Sequence, residues 1–342
     1  MLMPSTSAAH RKIERQRQIP NAQLVDANEL ANIVIEDEFA NDYNGMRFLL
    51  HDSRDTEPLQ PVFFIFCTQH GLERLNQFSH WSGDGTFKVV PNHFLQLYTL
   101  NVLVDESSVP SAFILMANKA SETYRRAFHV IRAHLNALPV TVMLDFEQSA
   151  KNAFKQIWPF IEIRLCLFHL GQSVLRKTQK LGLMRNYEND MEMRINVRAL
   201  AALSLLPVHH VNDGFNALRQ VANPISQPIF DYFRRTYVIG TNNGDPLFPI
   251  IEWNHHAAVL ANLARTNNAQ EGYHLALRRA FQNLHPPLSR FITVLKGEER
   301  IMQDRVRIYQ LDNTRGLNLR PRSKRYKTND PTKQQQQQQK QQ

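Results

Sequence analysis

Two aspartates and a glutamate stand where carboxylates could do chemistry. Asp84 opens the run Asp84-Gly85-Thr86-Phe87-Lys88-Val89-Val90, and Asp145 directly follows the apolar stretch Val140–Leu144. If the strands carrying them are neighbours in one sheet, the two carboxylates share a crevice. Two carboxylates at one site repel, so one must be protonated or a cation must lie between them. Mg²⁺ suits such a pair, because it takes oxygen ligands and keeps waters and substrate phosphates in its shell. Two such ions about 3.5–4 Å apart activate the attacking oxygen and stabilise the leaving one. A third ligand must come from elsewhere, and Glu271 is the candidate, just after Thr266-Asn267-Asn268. Glu147 is an alternative to Asp145, or simply an acid at a helix start. No short motif links the three positions, and taken singly each acid reads equally as a turn, cap or solvated residue.

Cys166 and His169 have half the spacing of a zinc site. A structural site needs four ligands, and nothing selects among Cys67, His209, His210, His255, His256 and His274 as partners; a buried Cys beside a hydrogen-bonded His is the other reading. Arg176, Lys177 and Lys180 follow on one helix and are candidates for DNA contact. Trp253 is either a stacking platform for an unstacked base or a core residue. Arg315, Arg320, Arg322, Lys324, Arg325 and Lys327 form a basic cluster suited to phosphates, to nuclear import or to no more than a solvated tail.

The elements that must position these residues follow from periodicity. His80–Val90, Leu95–Val104 and Ser111–Ala117 read as three strands joined by turns, an antiparallel meander. Ser121–Leu138 has helical spacing, with Tyr124, Phe128, Ile131 and Leu135 on one face, Ser121 as N-cap and Pro139 beyond its end. Val140–Leu144, Ser149–Trp158 and Ile161–Leu167 continue as strand, helix and strand, and strand–helix–strand units impose parallel pairing. The expected fold class is α/β, a mixed five-stranded sheet flanked by helices. Before it, Asn21–Glu57 reads as helical up to a polar loop, and Pro61–Thr68 is a compact run of strand formers. The expected segments are 1–78, with a flexible start; 79–170, the first part of the core; 171–262, an all-helical insertion; 263–312, helices completing the core; and 313–342, a basic and Gln-rich disordered tail.

Composition narrows the function. The chain has 342 residues, a formal net charge of +9 and 43% hydrophobic residues, so it builds a sizeable core and favours a polyanionic partner. Two cysteines exclude a disulfide framework. The polar, basic N-terminus lacks a signal peptide's apolar region, and the run near Leu97–Val104 is too short to span a bilayer. A soluble intracellular protein without membrane association is expected.

The blocks Asp84-Gly85-Thr86-Phe87, Gln96-Leu97-Tyr98, Asn118-Lys119 with Thr123-Tyr124, Asp145-Phe146-Glu147, Cys166-Leu167-Phe168-His169, Trp253-Asn254, and Thr266-Asn267-Asn268 with Glu271-Gly272-Tyr273-His274 occur in one order. Together, over roughly Ser79 to Arg279, they resemble the transposase domain of Mutator-like elements. The resemblance implies a ribonuclease-H-like fold with an Asp-Asp-Glu triad, Asp84, Asp145 and Glu271, holding Mg²⁺ or Mn²⁺. It implies cleavage and transfer of DNA strands in the nucleus, on transposon ends and target DNA, by a homo-oligomer that holds both ends. Many animal relatives carry an N-terminal FLYWCH-type zinc finger, whereas no Cys/His zinc spacing precedes Ser79 here. A non-catalytic, domesticated DNA-binding protein that keeps the fold is the alternative.

Overall fold

The computed structural model describes residues 30–104, 107–241, 244–260, 268–281, 285–312 and 317, with backbone alone for 31 and 268–271. The basic cluster of the C-terminal tail lies outside the described residues. The chain forms two compact units, Met1–Met302 and Gln303–Gln342, and the fold below is that of the first.

Seven strands form one sheet: β1 (Leu49–Asp52), β2 (Phe63–Phe66), β3 (His80–Thr86), β4 (Gln96–Val104), β5 (Ser107–Met116), β6 (Thr141–Leu144) and β7 (Glu162–Leu165). Their order is β1-β2-β5-β4-β3-β6-β7. The meander β3-β4-β5 is antiparallel as expected, and β6 pairs parallel with β3 and with β7. The two parallel connections run through helices α2 (Ser121–Ala133) and α3 (Gln148–Ile157), because parallel strands need a crossover that a hairpin cannot supply. Ser121 is the first residue of helix α2 and not its N-cap, a position held by Ala120 without a side-chain cap; just before it the Asn118 Oδ1 accepts from the Ala120 N–H at 3.0 Å and the Thr123 hydroxyl at 2.8 Å.

The expected five strands are therefore present, but the sheet has two more. Phe63–Phe66 pairs antiparallel with β5, and Leu49–Asp52, expected to be a helix end running into a polar loop from His51, pairs antiparallel with β2. An all-apolar strand left at an edge would offer unpaired backbone groups to other chains, and β1 covers it. That long-range pairing overrides the local preference of Leu49 and Leu50.

Period-two alternation separates the two faces of the sheet. Leu97, Phe113 and Leu115, with Phe64 and Phe66, pack against α11 (Asn268–Phe281) and the start of α12 (Leu288–Leu311), where Leu277, Phe281, Phe291 and Leu295 are buried. On the other face Tyr98 and Trp81 meet Tyr124, Phe128, Phe154 and Trp158, with the Phe128 and Phe154 rings 4.4 Å apart. Each such buried side chain stabilises by roughly 1.5–3 kcal/mol. Helix α1 (Gln69–Gln77) is tied down by Arg74, whose buried guanidinium bonds both oxygens of Glu299, at 2.7 and 2.9 Å.

From Leu167 to Leu260 the described residues are helical, without strands: α4 (Leu167–Lys180), α5 (Met184–Asn189), α6 (Met191–Ala202), α7 (Val211–Val221), α8 (Gln227–Phe233), α9 (Ile250–Trp253) and α10 (His256–Leu260). Helix α8 runs directly into a π-helical turn, Arg234–Val238, where the Ile239 N–H reaches back to the Arg234 carbonyl. One cluster docks this segment on the core. Glu252 of α9 accepts from Lys151 at 2.8 Å and Lys155 at 2.5 Å, both on α3, and the Lys151 ammonium also donates to the Leu247 carbonyl at 2.9 Å.

Candidate active site

Asp84 and Asp145 come together as the strand order requires. Gly83 of β3 pairs with Leu144 of β6, so Asp84 and Asp145 are the next residues on adjacent parallel strands and share a face by alternation. Asp84 is buried, and its Oδ1 accepts from the Gly85 N–H at 2.8 Å. The Asp145 Oδ1 is sealed from solvent and has no hydrogen-bond partner among the described residues. Burial first, then the charges of Asp84 and Glu147, push the Asp145 carboxyl up to about 7, and Lys119 opposes the shift.

The glycines flanking Asp84 let β4 come close. A Cβ at Gly83 would collide with the Tyr98 hydroxyl, and one at Gly85 would lie 2.8 Å from Gln96 Oε1. Across the sheet, Glu147 is held by the Tyr124 hydroxyl at 2.7 Å and the Lys119 ammonium at 2.8 Å. Lys119 also lies 4.6 Å over the Phe87 ring. Glu147 precedes α3 without capping it; its carboxylate is engaged by these two partners.

The helix carrying Glu271 reaches the same place. On α11 the His274 Nδ1 stands 3.2 Å from Asp84 Oδ2, and its Nε2 is buried without a partner among the described residues. Glu271 lies three residues earlier, one turn towards the helix start; its side chain lies outside the described residues. His274 entered the sequence reading as one of several zinc candidates and as the end of a family block, with no role beside the acids. Its pairing with Asp84 was invisible there, because the two are 190 positions apart and belong to different elements.

The other candidate residues divide. Cys166 is fully buried at the start of α4 and its N–H donates to the Leu144 carbonyl, while His169 lines a cavity beside Asp145. Burial, and then Arg176, lower the His169 pKa against an opposing pull from Asp84. Among the described residues no group of three or more His, Cys, Asp or Glu side chains is arranged to hold a metal. Arg176 lines the same cavity, exposed and without an ion pair among the described residues. Lys177 lies 5.2 Å over the Tyr232 ring, and Lys180 is exposed at the end of α4. Trp253, weighed as a stacking platform, is 0% exposed, and its indole N–H donates to the Phe248 and Tyr237 carbonyls at 3.1 and 3.2 Å. With no face open to a base, it is a packing residue.

A mixed sheet with two acids side by side at its strand ends, and a distant helix pinned to one of them, defines a polar centre suited to phosphate chemistry. Residues 80–173 match the family model of the MULE transposase domain, the Mutator-like family whose blocks the sequence resembles. That segment holds both aspartates, Lys119, Tyr124, Glu147, Cys166 and His169. No curated protein matches the chain. Among the described residues no helix is long and apolar enough to cross a membrane.

Proposed function

We propose that this chain is a DNA transposase of the Mutator-like class, which cleaves DNA strands and transfers them through a metal-dependent centre of Asp84, Asp145 and Glu271. The observation that carries the reading is the pair of carboxylates on adjacent parallel strands, one with a buried, unpartnered oxygen. The five strands β5-β4-β3-β6-β7, an antiparallel meander followed by two parallel strands, support a ribonuclease-H-like core. The donor set fits a hard divalent cation: oxygen ligands, excess negative charge and an acid whose ionisation is costly without a counter-charge. Mg²⁺, with Mn²⁺ as a substitute, would be held by Asp84, Asp145 and Glu271. Once bound, the cation supplies charge neutralisation and polarisation at the scissile phosphate.

The chain's own residues then have defined tasks. Gly83 and Gly85 let the sheet close under Asp84, and His274 orients its carboxylate. Lys119 and Tyr124 hold Glu147 away from Asp145 and place a cation near the acids. The basic excess attracts DNA, and Arg176, exposed and without an ion pair among the described residues, is a cation beside the site. Action in the nucleus, as a homo-oligomer that brings two DNA ends together, completes the reading.

The test is nicking of supercoiled plasmid by the purified chain in Mn²⁺, with Glu271→Gln alongside; activity in the wild type that the variant lacks is expected, and equal activity in both would remove Glu271 from the centre. A separate expectation concerns His274. Groups that orient a metal ligand typically contribute 10–100-fold to affinity, so His274→Ala should weaken Mn²⁺ binding about tenfold by calorimetry. Asn at that position keeps a donor and should recover part of the loss. Unchanged affinity in the alanine variant would leave His274 a packing residue.

A further inference from the structure

The cavity of about 290 Å³ that opens beside Asp145 lies between the end of β6 and the helical segment. Its walls are largely aromatic. Phe146 packs edge-on against Phe248, with ring centroids 4.9 Å apart and planes at 77°, and Tyr237 stacks on Phe248 at 5.8 Å. The Tyr237 hydroxyl shares a 2.7 Å hydrogen bond with Ser173 of α4, which ties the π-helical turn to that helix. Thr236 on the same turn lines the cavity, as does Tyr232 one turn earlier. π-Turns within helices occur frequently at functional sites. At one boundary stands the exposed Arg176, at another the carboxylate of Asp145.

We propose that this cavity receives a single unstacked nucleobase of a DNA strand, with an adjoining phosphate against Arg176. The inference rests on DNA being the substrate of the neighbouring carboxylates. The volume lies just below the range of small-molecule sites; it suits one planar ring system and is far too small for a duplex. Every base presents a π-face, and the half-buried Phe146 and Tyr232 are the rings it can meet, with the buried Tyr237 and Phe248 behind them. The charge arrangement sets the orientation. A phosphate deep in the cavity would meet the Asp145 carboxylate, so the neutral ring enters and the anion stays at Arg176. A nucleotide held this way is anchored next to the centre that cuts the strand.

The test separates base capture from cleavage. Purified full chain in metal-free buffer is titrated with a short oligothymidylate, with an abasic strand of equal length, and with a strand carrying 2-aminopurine, whose emission drops on stacking. Tighter binding of the base-containing strand and quenching of 2-aminopurine are expected. Thr236→Trp, which fills the cavity from its rim, should lose the quenching and roughly tenfold in affinity for oligothymidylate; its duplex binding and melting temperature should stay unchanged. Arg176→Ala should reduce the salt dependence of binding by about one phosphate contact. Tyr232→Ala serves as a second, milder lesion should Thr236→Trp fail to fold. Equal affinity for abasic and base-containing strands, or wild-type quenching in the filled variant, overturns the proposal, as does failure to bind single strands at all. Base-dependent binding by a chain that never nicks plasmid would keep the cavity's role and remove the cleavage reading instead.

Discussion

Asp145→Asn should reduce metal-dependent cleavage of supercoiled DNA at least roughly a hundredfold, the upper range for lesions one step removed from a metal, while stabilising the metal-free protein at pH 8. The first effect follows from losing a negative oxygen donor. The second follows from the sign of the pKa shift. Burial, Asp84 and Glu147 raise the folded carboxyl to about 7, whereas an unfolded aspartate titrates near about 3.9. Between those values the folded chain keeps a proton that the unfolded chain has released. The stability this group contributes is complete below about pH 4 and is lost as pH rises through about 7. Melting in chelator at pH 5 and pH 8 should therefore show a steeper decline for wild type than for the asparagine variant. Mn²⁺ should restore the wild type at pH 8 by binding only the native state. Parallel pH dependence in the two proteins, or undiminished cleavage by the variant, would contradict the assignment of Asp145.

Glu252→Ala should cost about 3–5 kcal/mol in urea unfolding, the usual penalty for breaking a buried ion pair from one side. Lys151 and Glu252 are 3% and 5% exposed, and burial already lowers the lysine pKa while Glu252 holds it up. Removing the acid leaves an ammonium in the interior with the Leu247 carbonyl as its hydrogen-bond partner among the described residues. The double variant Lys151→Met with Glu252→Leu should regain most of the loss, because replacing both charges avoids the stranded ion. The consequence extends beyond stability, since Lys151 also lies 4.8 Å over the Phe248 ring, one wall of the cavity beside Asp145. A single variant with wild-type unfolding energy would show that the helical segment is anchored by its apolar contacts alone.

How far the sequence reveals this arrangement depends on the range of the interaction. The aspartates were legible because each follows or sits within an apolar strand, and the strand–helix–strand spacing of β6, α3 and β7 fixes their parallel pairing. β2 was legible as a strand but not as a member of the sheet, since nothing in Phe63–Phe66 says which edge it joins. β1 was hidden altogether: Leu49–Asp52 is four residues long and owes its conformation to β2. Trp253 was ambiguous because an aromatic residue has the same signature in a core as on a binding surface, and only its two carbonyl partners decide. Lys119, Tyr124 and His274 stood inside blocks that mark the family, yet no spacing links them to the acids they touch. Those contacts are made across the sheet and from a helix far along the chain, where local patterns carry no information.

The π-helical turn after α8 holds one residue more than an α-helix would accommodate over the same rise. Its register is therefore a quantity that a single deletion could alter. Removing Arg235, the exposed residue of the turn, would allow ordinary i to i+4 bonding there and change the direction of the side chains inside it. Thr236 and Tyr237 would swing off the wall they share, although no side chain near the carboxylates had been changed. A helix with a surplus residue thus acts as a phase setting for the side chains inside the turn, and loss of that setting offers a way to silence the site while leaving its acids intact.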